Sequence, residues 1–180
     1  LAVLKTQVQS ALRGDMPAEQ ALHEISDTVD RATQLANQML ALAKVEQLRQ
    51  QSEPPITRLD EVLRTVALEI SPLIAQRDLD FGIHTEAAPV RAHEWMLREL
   101  TRNLLHNAVR HAPQGSELAV DLRCDAHHTA LTISDCGPGI EPELAARLFQ
   151  PFSAGDVRSG SGLGLAICQE IVQALGGSTT

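Results

Sequence analysis

The chain has 180 residues, of which 43% are hydrophobic and 21% are charged. This composition is typical of a folded globular protein, and it excludes a disordered, collagen-like or disulfide-stapled chain. The chain contains one Trp, three Phe and no Tyr, and its formal net charge is −8. These features argue against a surface that binds nucleic acid or an anionic membrane. Three cysteines without a Cys-x-x-Cys pair indicate no disulfide framework, and no apolar run is long enough to predict a membrane span. We therefore expect a soluble segment from a reducing compartment.

The first fifty residues predict two amphipathic helices. Leu1, Leu4, Val8 and Leu12 recur every three or four residues, until the sequence 14–17 (GDMP) interrupts the pattern with turn residues. A narrow apolar seam then follows one face of a second helix, through Leu22, Ile25, Val29, Ala32, Ala36, Met39 and Ala43. A helical pair has too little interior to be stable by itself, so the seam must pack against the rest of the chain or a second copy. We prefer a second copy, which gives a two-chain four-helix bundle.

A polar segment closed by two prolines, 50–55 (QQSEPP), predicts a domain boundary. Beyond it, the patterns predict an extended segment at 56–59, helices at 60–76, 93–111, 142–149 and 163–175, and strands at 79–84, 90–92, 117–124 and 129–134. These elements lack the regular strand-helix-strand order of a doubly wound sheet. The expected fold class is therefore α+β: a helical hairpin followed by an α/β sandwich with a mixed sheet and helices on one face.

The helix at 93–111 carries two amides on one face. Asn103 and Asn107 are four residues apart, and leucines fill the adjoining side. Asn is a mediocre residue in the middle of a helix, so the pair indicates a polar ligand. A carboxamide oxygen suits Mg²⁺, and Arg110, about one turn further on, offers donors to phosphate. A solvated polar face is the alternative for the pair by itself.

Two further motifs lie around the last predicted strand. In 133–140 (ISDCGPGI), Asp135 can accept a hydrogen bond from an exocyclic amine, while Gly137 and Gly139 let the backbone approach a flat ligand. Taken alone, this segment is a tight turn. The following 148–152 (LFQPF) places Phe149 and Phe152 together, which is also compatible with simple core packing.

A glycine-rich segment, 159–168 (SGSGLGLAIC), directly precedes an apolar helix. Gly160, Gly162 and Gly164 would leave free backbone amides at the positive end of the helix dipole, which suits phosphate. The segment lacks the Lys-Ser/Thr ending of a P-loop and does not follow a strand, so neither a P-loop nor a dinucleotide motif is predicted.

In this order and spacing, the four runs resemble the N, G1, F and G2 boxes of sensor histidine kinases, within the ATPase superfamily that also contains gyrase, HSP90 and the mismatch-repair ATPases. The resemblance implies that Asn107 holds Mg²⁺, that Asn103 stands where the ATPase relatives place a catalytic Glu, and that Arg110 contacts phosphate. It further implies that His111 lies against the base and that Asp135 binds the adenine amine. The other residues it assigns to nucleotide binding are Gly137, Gly139, Ile140, Gly160, Gly162, Leu163 and Gly164.

The same resemblance divides the chain into a dimerisation and phosphotransfer hairpin at 1–50 and a catalytic ATP-binding domain at 56–180, with a short mobile lid between Phe152 and Gly160. The phosphoacceptor histidine is expected about two helical turns before Leu1, so this segment is not expected to phosphorylate itself. His23 lacks the Arg-Thr-Pro that follows the acceptor in the family. The final strands of the domain are expected after Gly177.

The implied activity is transfer of the γ-phosphoryl of ATP–Mg²⁺ to a histidine and then to an aspartate of a response regulator. A homodimer through 1–50 and no nucleic-acid partner are expected, in the cytoplasmic portion of an inner-membrane-anchored bacterial protein. The alternatives are a gyrase-type ATPase, disfavoured because Asn103 replaces the carboxylate that would activate water, and a dimeric scaffold without catalysis.

Overall fold

The structure is a computed structural model that describes residues 2–14, 17–50, 53–145, 147–150 and 163–179. Its helices are α1 (Ala2–Arg13), α2 (Ala18–Arg49), α3 (Leu59–Gln76), α4 (Glu94–His111), α5 (Pro142–Ala145) and α6 (Gly164–Ala174). Its strands are β1 (Ile56–Arg58), β2 (Asp80–Thr85), β3 (Pro89–Arg91), β4 (Glu117–Cys124) and β5 (Thr129–Asp135). The break between α1 and α2 falls where the turn residues predicted it.

The strands form a mixed sheet and a separate small ladder. In the three-stranded sheet, β4 lies in the centre, pairs in parallel with β2 and pairs antiparallel with β5. The short strands β1 and β3 pair antiparallel. Buried side chains of α3, α4 and β4 form the main core, with leucines from each of the three elements. The α+β sandwich predicted from the sequence is confirmed, and the predicted strands agree with the observed ones to within about one residue.

One predicted helix is wrong in length. The sequence pattern predicts a helix at 142–149, whereas α5 ends at Ala145 and a turn occupies 147–149. In this turn, the backbone N–H groups of Arg147 and Leu148 donate to carbonyls three residues back, at 3.1 and 3.3 Å. Such i→i+3 bonds tighten the chain and do not propagate an α-helix.

The interior proline of α3 is compensated locally. Pro72 has no N–H to donate to the carbonyl of Leu68, four residues earlier. The Ser71 hydroxyl donates to that same carbonyl at 2.8 Å. The carbonyl is therefore not left without a donor, and α3 continues to Gln76.

Side-chain ion pairs then fix α4 against α3. Arg98 and Arg102 of α4 both bind the carboxylate of Glu69 on α3. Hydrogen bonds from the two guanidinium groups lower the pKa of Glu69. The position of α4 matters because this helix carries the amide pair.

The C-terminal part of α2 packs on the remainder of the chain. Its contacts form a docking cluster made of Ala41 and Val45 from α2, Met96 and Leu100 from α4, and Ile167, Cys168 and Ile171 from α6. The Lys44 ammonium also lies 4.3 Å from the centre of the Trp95 ring, in a cation–π contact. The sequence pattern favours a second copy of the chain as the packing partner of α2. This part of the helix instead packs on its own chain, which is the alternative interpretation.

The apolar seam of α2 further toward its N-terminus is exposed. Leu22, Val29 and Met39 are exposed by 68%, 45% and 59%. This seam remains available to another helical surface. Among the described residues, none of the helices combines the length and the apolar character needed to cross a bilayer.

Candidate functional site

The amide pair lies on a helix that its apolar side anchors in the core. Leu105 and Val109 of α4 are buried in the main core, and Leu100 is buried in the docking cluster. Asn103 and Asn107 lie between these apolar positions and are half-buried. The leucines thus set the rotation of α4, and that rotation presents both amides on one partly open face.

The Asn103 amide is held in one orientation. Its Nδ2 donates to the backbone oxygen of Glu99 at 2.9 Å and to the Glu99 side-chain Oε1 at 3.0 Å. Its Oδ1 faces the start of α6, where a Cβ added to Gly164 would lie 3.0 Å from that oxygen. Glycine at position 164 therefore lets the first turn of α6 approach the Asn103 oxygen closely.

Burial holds α6 against α4 behind this contact. Cys168 is fully buried, and its thiol donates to the Leu100 backbone oxygen at 3.8 Å. Burial raises the pKa of the Cys168 thiol to about 12, and the nearby charge of Glu99 adds to this effect. Cys168 is therefore an uncharged packing residue that holds the first turns of α6 beside α4.

The other end of α4 is capped from α3. Arg77, just after α3, donates from Nη2 to the backbone oxygens of Arg110 at 3.0 Å and Ala112 at 2.8 Å. A cation at the C-terminal end of a helix satisfies its last carbonyls and complements the dipole. The side chains of Arg110 and His111, at the end of α4, are exposed.

The loop after β5 contacts this end of α4. The Gly137 N–H donates to Oδ1 of Asp135 at 2.8 Å. A Cβ on Gly137 would lie 2.5 Å from the same Oδ1 and 3.1 Å from the His111 backbone oxygen. A side chain at position 137 would displace the Asp135 carboxylate from this hydrogen bond and crowd the His111 carbonyl. Glycine at this position therefore lets the loop carry the Asp135 carboxylate beside the last turn of α4.

The remaining predicted residues are distributed around this junction. Gly139 has φ +79, which is the left-handed region that favours glycine. Ile140 is exposed, whereas the Leu163 side chain is fully buried, so only the Leu163 backbone can face a ligand. Gly160, Gly162, Phe152 and the expected lid lie outside the described residues.

The donor set fits a magnesium–nucleotide complex. Within the described ranges, no group of three or more His, Cys, Asp or Glu side chains is arranged to hold a metal ion by itself. A cation bound here would depend on carboxamide, phosphate and water oxygens, which is how proteins usually hold Mg²⁺ with a nucleotide. The Asn103 oxygen facing the start of α6 and the glycine cradle at Gly137 are compatible with the phosphate end and the base end of such a ligand.

Two residues that contribute to the site were not identified from the sequence. Glu99 could have been found, because it lies one helical turn before Asn103 and can reach its amide. The sequence around Arg77 does not indicate its role, because Arg77 donates to the carbonyls of Arg110 and Ala112, which are more than thirty residues away in the sequence.

Comparison with known proteins identifies relatives of the whole chain. Residues 92–180 match the family described as histidine kinase-, DNA gyrase B-, and HSP90-like ATPase. The sensor protein QseC of Salmonella typhi is 35% identical over 178 residues, which cover 95% of this chain and 39% of that protein. The sensor protein kinase PmrB of Pseudomonas aeruginosa is 32% identical over 180 residues, covering 96% of this chain and 37% of that protein. The chain thus spans about two-fifths of the length of these relatives.

Several solved structures share the fold of this chain. The histidine kinase AdeS of Acinetobacter baumannii has the same fold, with a TM-score of 0.76 at 24% identity over 96% of this chain and 83% of that one. The histidine kinase ThkA in complex with the response regulator TrrA also shares the fold, with a TM-score of 0.73 at 18% identity over 97% and 51% of the two chains. The mycobacterial sensor histidine kinase MprB is 30% identical over 69% of this chain and 82% of that one, with a TM-score of 0.62. Since this chain is 30% identical to MprB and covers 82% of it, the chain belongs to the sensor histidine kinases.

Proposed function

We propose that this chain binds ATP with Mg²⁺ at the junction of α4, the loop after β5 and the start of α6, and that it transfers the γ-phosphoryl group to a histidine. The observation that carries the proposal is the convergence of separate motifs on one junction. Asn103 meets Gly164 at one end of it, and Asp135 and Gly137 meet His111 at the other. These residues are far apart in the sequence, and packing by itself does not require amides, a carboxylate and glycines to lie together at one partly open junction.

In the proposed complex, each polar group has a separate role. The Asn107 carboxamide holds the metal, Arg110 donates to phosphate oxygens, and Asp135 accepts a hydrogen bond from the adenine amino group. The bound nucleotide supplies an activated phosphoryl group whose charge is partly neutralised by the metal. The residues of the chain bind and orient it, which is the main requirement for phosphoryl transfer.

The acceptor is proposed to be a histidine that precedes Leu1. His23 is exposed on α2 but lacks the family's following Arg-Thr-Pro, so we expect no self-phosphorylation within these 180 residues. From the acceptor, the phosphoryl passes to an aspartate of a response regulator. The complex of ThkA with TrrA supports this class of partner.

The remaining parts of the proposal concern organisation. We propose that residues 1–50 form a homodimer through the exposed seam of α2, and that residues 56–180 form the ATP-binding domain. By analogy with the sensor proteins it matches, the chain is proposed to be the cytoplasmic portion of an inner-membrane-anchored bacterial protein.

A labelling experiment separates the candidate activities. The parent protein, including the residues before Leu1, is incubated with Mg²⁺ and ATP that is radioactive at the γ-phosphate. Acid-labile, alkali-stable label on the protein supports the proposal, since phosphohistidine has this stability. Release of free phosphate without protein label would instead favour a gyrase-type ATPase, and neither product would favour a scaffold.

A substitution pair then tests the assigned metal ligand. Asn107→Ala should abolish the protein label and weaken Mg²⁺–ATP binding in calorimetry, because the carboxamide oxygen is lost. Asn37→Ala is the matched control, since Asn37 is an exposed amide on α2 away from the site. Equal binding by both variants would remove Asn107 from the metal site.

A further inference from the structure

The orientation of the Asn103 carboxamide decides what this residue can bind. A carboxamide has a donor end and an acceptor end, and only the oxygen end can approach a cation. In the structure, the Nδ2 of Asn103 is taken by two oxygens of one residue, the backbone oxygen and the Oε1 of Glu99. Neither oxygen can donate when the carboxylate is ionised, so the amide cannot reverse without facing two acceptors with its own oxygen.

We propose that Glu99 is a positioning residue that fixes the Asn103 oxygen toward the start of α6, where the phosphate end of a magnesium–nucleotide complex would bind. This inference rests on the proposed function and adds a residue to its binding machinery. Glu99 does not itself touch the nucleotide. It acts by holding Asn103 in the orientation that binding requires, before the ligand arrives.

The surroundings of Glu99 favour this use of its charge. Its neighbours on α4, Arg98 and Arg102, both bind Glu69 on α3 and so point away from it. The Glu99 side chain lies on the α6 side of the helix, since its charge acts on the buried Cys168 thiol. The carboxylate is half-buried, which strengthens its hydrogen bond to the amide relative to one in water.

The opposite end of the amide shows why the orientation matters. Oδ1 of Asn103 is so close to α6 that a Cβ on Gly164 would lie 3.0 Å from it. A reversed amide would present two N–H donors to the same place. An N–H donor cannot approach a cation, so a reversed Asn103 would leave the metal of the complex without this oxygen.

Three variants of the chain test the proposal by calorimetry with Mg²⁺–ATP. Glu99→Ala removes the side-chain acceptor and should weaken binding by about tenfold, the scale of one hydrogen bond to a charged group. Glu99→Gln keeps an acceptor oxygen and should remain within about twofold of the unmodified chain. Glu94→Ala removes an exposed carboxylate from the first turn of the same helix and should leave binding unchanged.

A second measurement reports on the amide without any nucleotide. The side-chain N–H signals of Asn103 in an NMR spectrum are assigned by their loss in Asn103→Asp. Because the Glu99 carboxylate accepts their hydrogen bond, these signals should move upfield in Glu99→Ala, stay close to their original positions in Glu99→Gln and be unchanged in Glu94→Ala. Equal positions in the unmodified chain and Glu99→Ala would contradict the positioning role, and the melting temperatures of all three variants should stay within a few degrees of the unmodified chain.

The outcomes distinguish this inference from the function on which it rests. If the unmodified chain binds Mg²⁺–ATP and Glu99→Ala binds it equally well, the positioning role is wrong and the proposed function stands. Equal weakening in Glu99→Ala and Glu94→Ala would indicate a general charge effect and would also overturn the inference. If the unmodified chain binds no Mg²⁺–ATP, the proposed function fails, and the positioning role fails with it.

Discussion

The buried carboxylate of Asp60 should make the folded chain sensitive to acid. Asp60 is only 2% exposed and accepts hydrogen bonds from the Arg58 guanidinium at 2.9 and 2.7 Å and from the Ala88 N–H at 3.0 Å. The hydrogen bond from Arg58 is the largest cause that lowers the pKa of Asp60 from 3.8 to about 2. These contacts tie the start of α3 to the segment that leads into β3.

The size of the effect follows from the shift in pKa. Each unit corresponds to about 1.36 kcal/mol, so the ionised Asp60 contributes at most about 2.4 kcal/mol to the free energy of unfolding. Arg58 is 47% exposed, and screening by solvent reduces the contribution to about 1–2 kcal/mol. Because the folded pKa is lower than the unfolded one, this stabilisation is complete above about pH 5 and is lost as the pH falls from about 4 to 2.

Urea unfolding followed by circular dichroism measures this contribution. At pH 7, Asp60→Asn should lower the free energy of unfolding by about 1–2 kcal/mol, and the difference from the unmodified chain should halve near pH 3. Asp60→Ala should cost more, because the buried Ala88 N–H also loses its acceptor. Asp80→Asn is the control, since the Asp80 side chain is exposed. A loss in Asp60→Asn that is the same at pH 3 and pH 7 would refute the assignment to charge.

Three further predictions concern the site and the seam. Asp135→Asn should weaken ATP binding by about 1.5 kcal/mol or more without weakening GTP binding, because the Asn amide can donate to the guanine carbonyl; calorimetry with both nucleotides checks this, and unchanged ATP affinity contradicts it. Gly164→Ala should weaken Mg²⁺–ATP binding, because its Cβ would lie 3.0 Å from the Asn103 oxygen. The melting temperature should not fall, because alanine favours the helix. Equal affinity would show that α6 can shift without affecting the binding site. Ile25→Glu combined with Val29→Glu should give monomers that still bind ATP, measured by sedimentation at several concentrations, and an unmodified chain that is monomeric throughout would contradict dimerisation through the seam.

Much of the fold could be predicted because its signals are local. The alternation in β4 and β5 and the helical periodicity of α3 and α4 involve neighbours only a few residues apart, and the observed bounds follow them closely. The helix predicted beyond Ala145 fails for the same reason, since apolar periodicity does not distinguish a short helix followed by i→i+3 turns from a longer helix.

The contacts within the site needed the tertiary structure. The position of Gly137 against the His111 carbonyl depends on how β5 is placed beside the end of α4. The cap that Arg77 provides for α4 likewise depends on how α3 packs on α4. The spacing of residues along the sequence does not predict such long-range contacts, because they depend on how the whole core packs.

The sequence by itself determined the order of the elements, the amide pair, the glycine-rich turns and the family they resemble, because spacing along one helix or one turn fixes which side chains share a face. Only the tertiary structure decided that Glu99 orients Asn103, that Asp60 is a buried charge, and that α2 packs partly on α4 and α6. Burial and long-range contacts are properties of the packed chain and cannot be read from the order of residues. The sequence gives no sign that a particular carboxylate is buried, and the effect of its charge on stability or on a neighbouring side chain arises only when folding removes it from water.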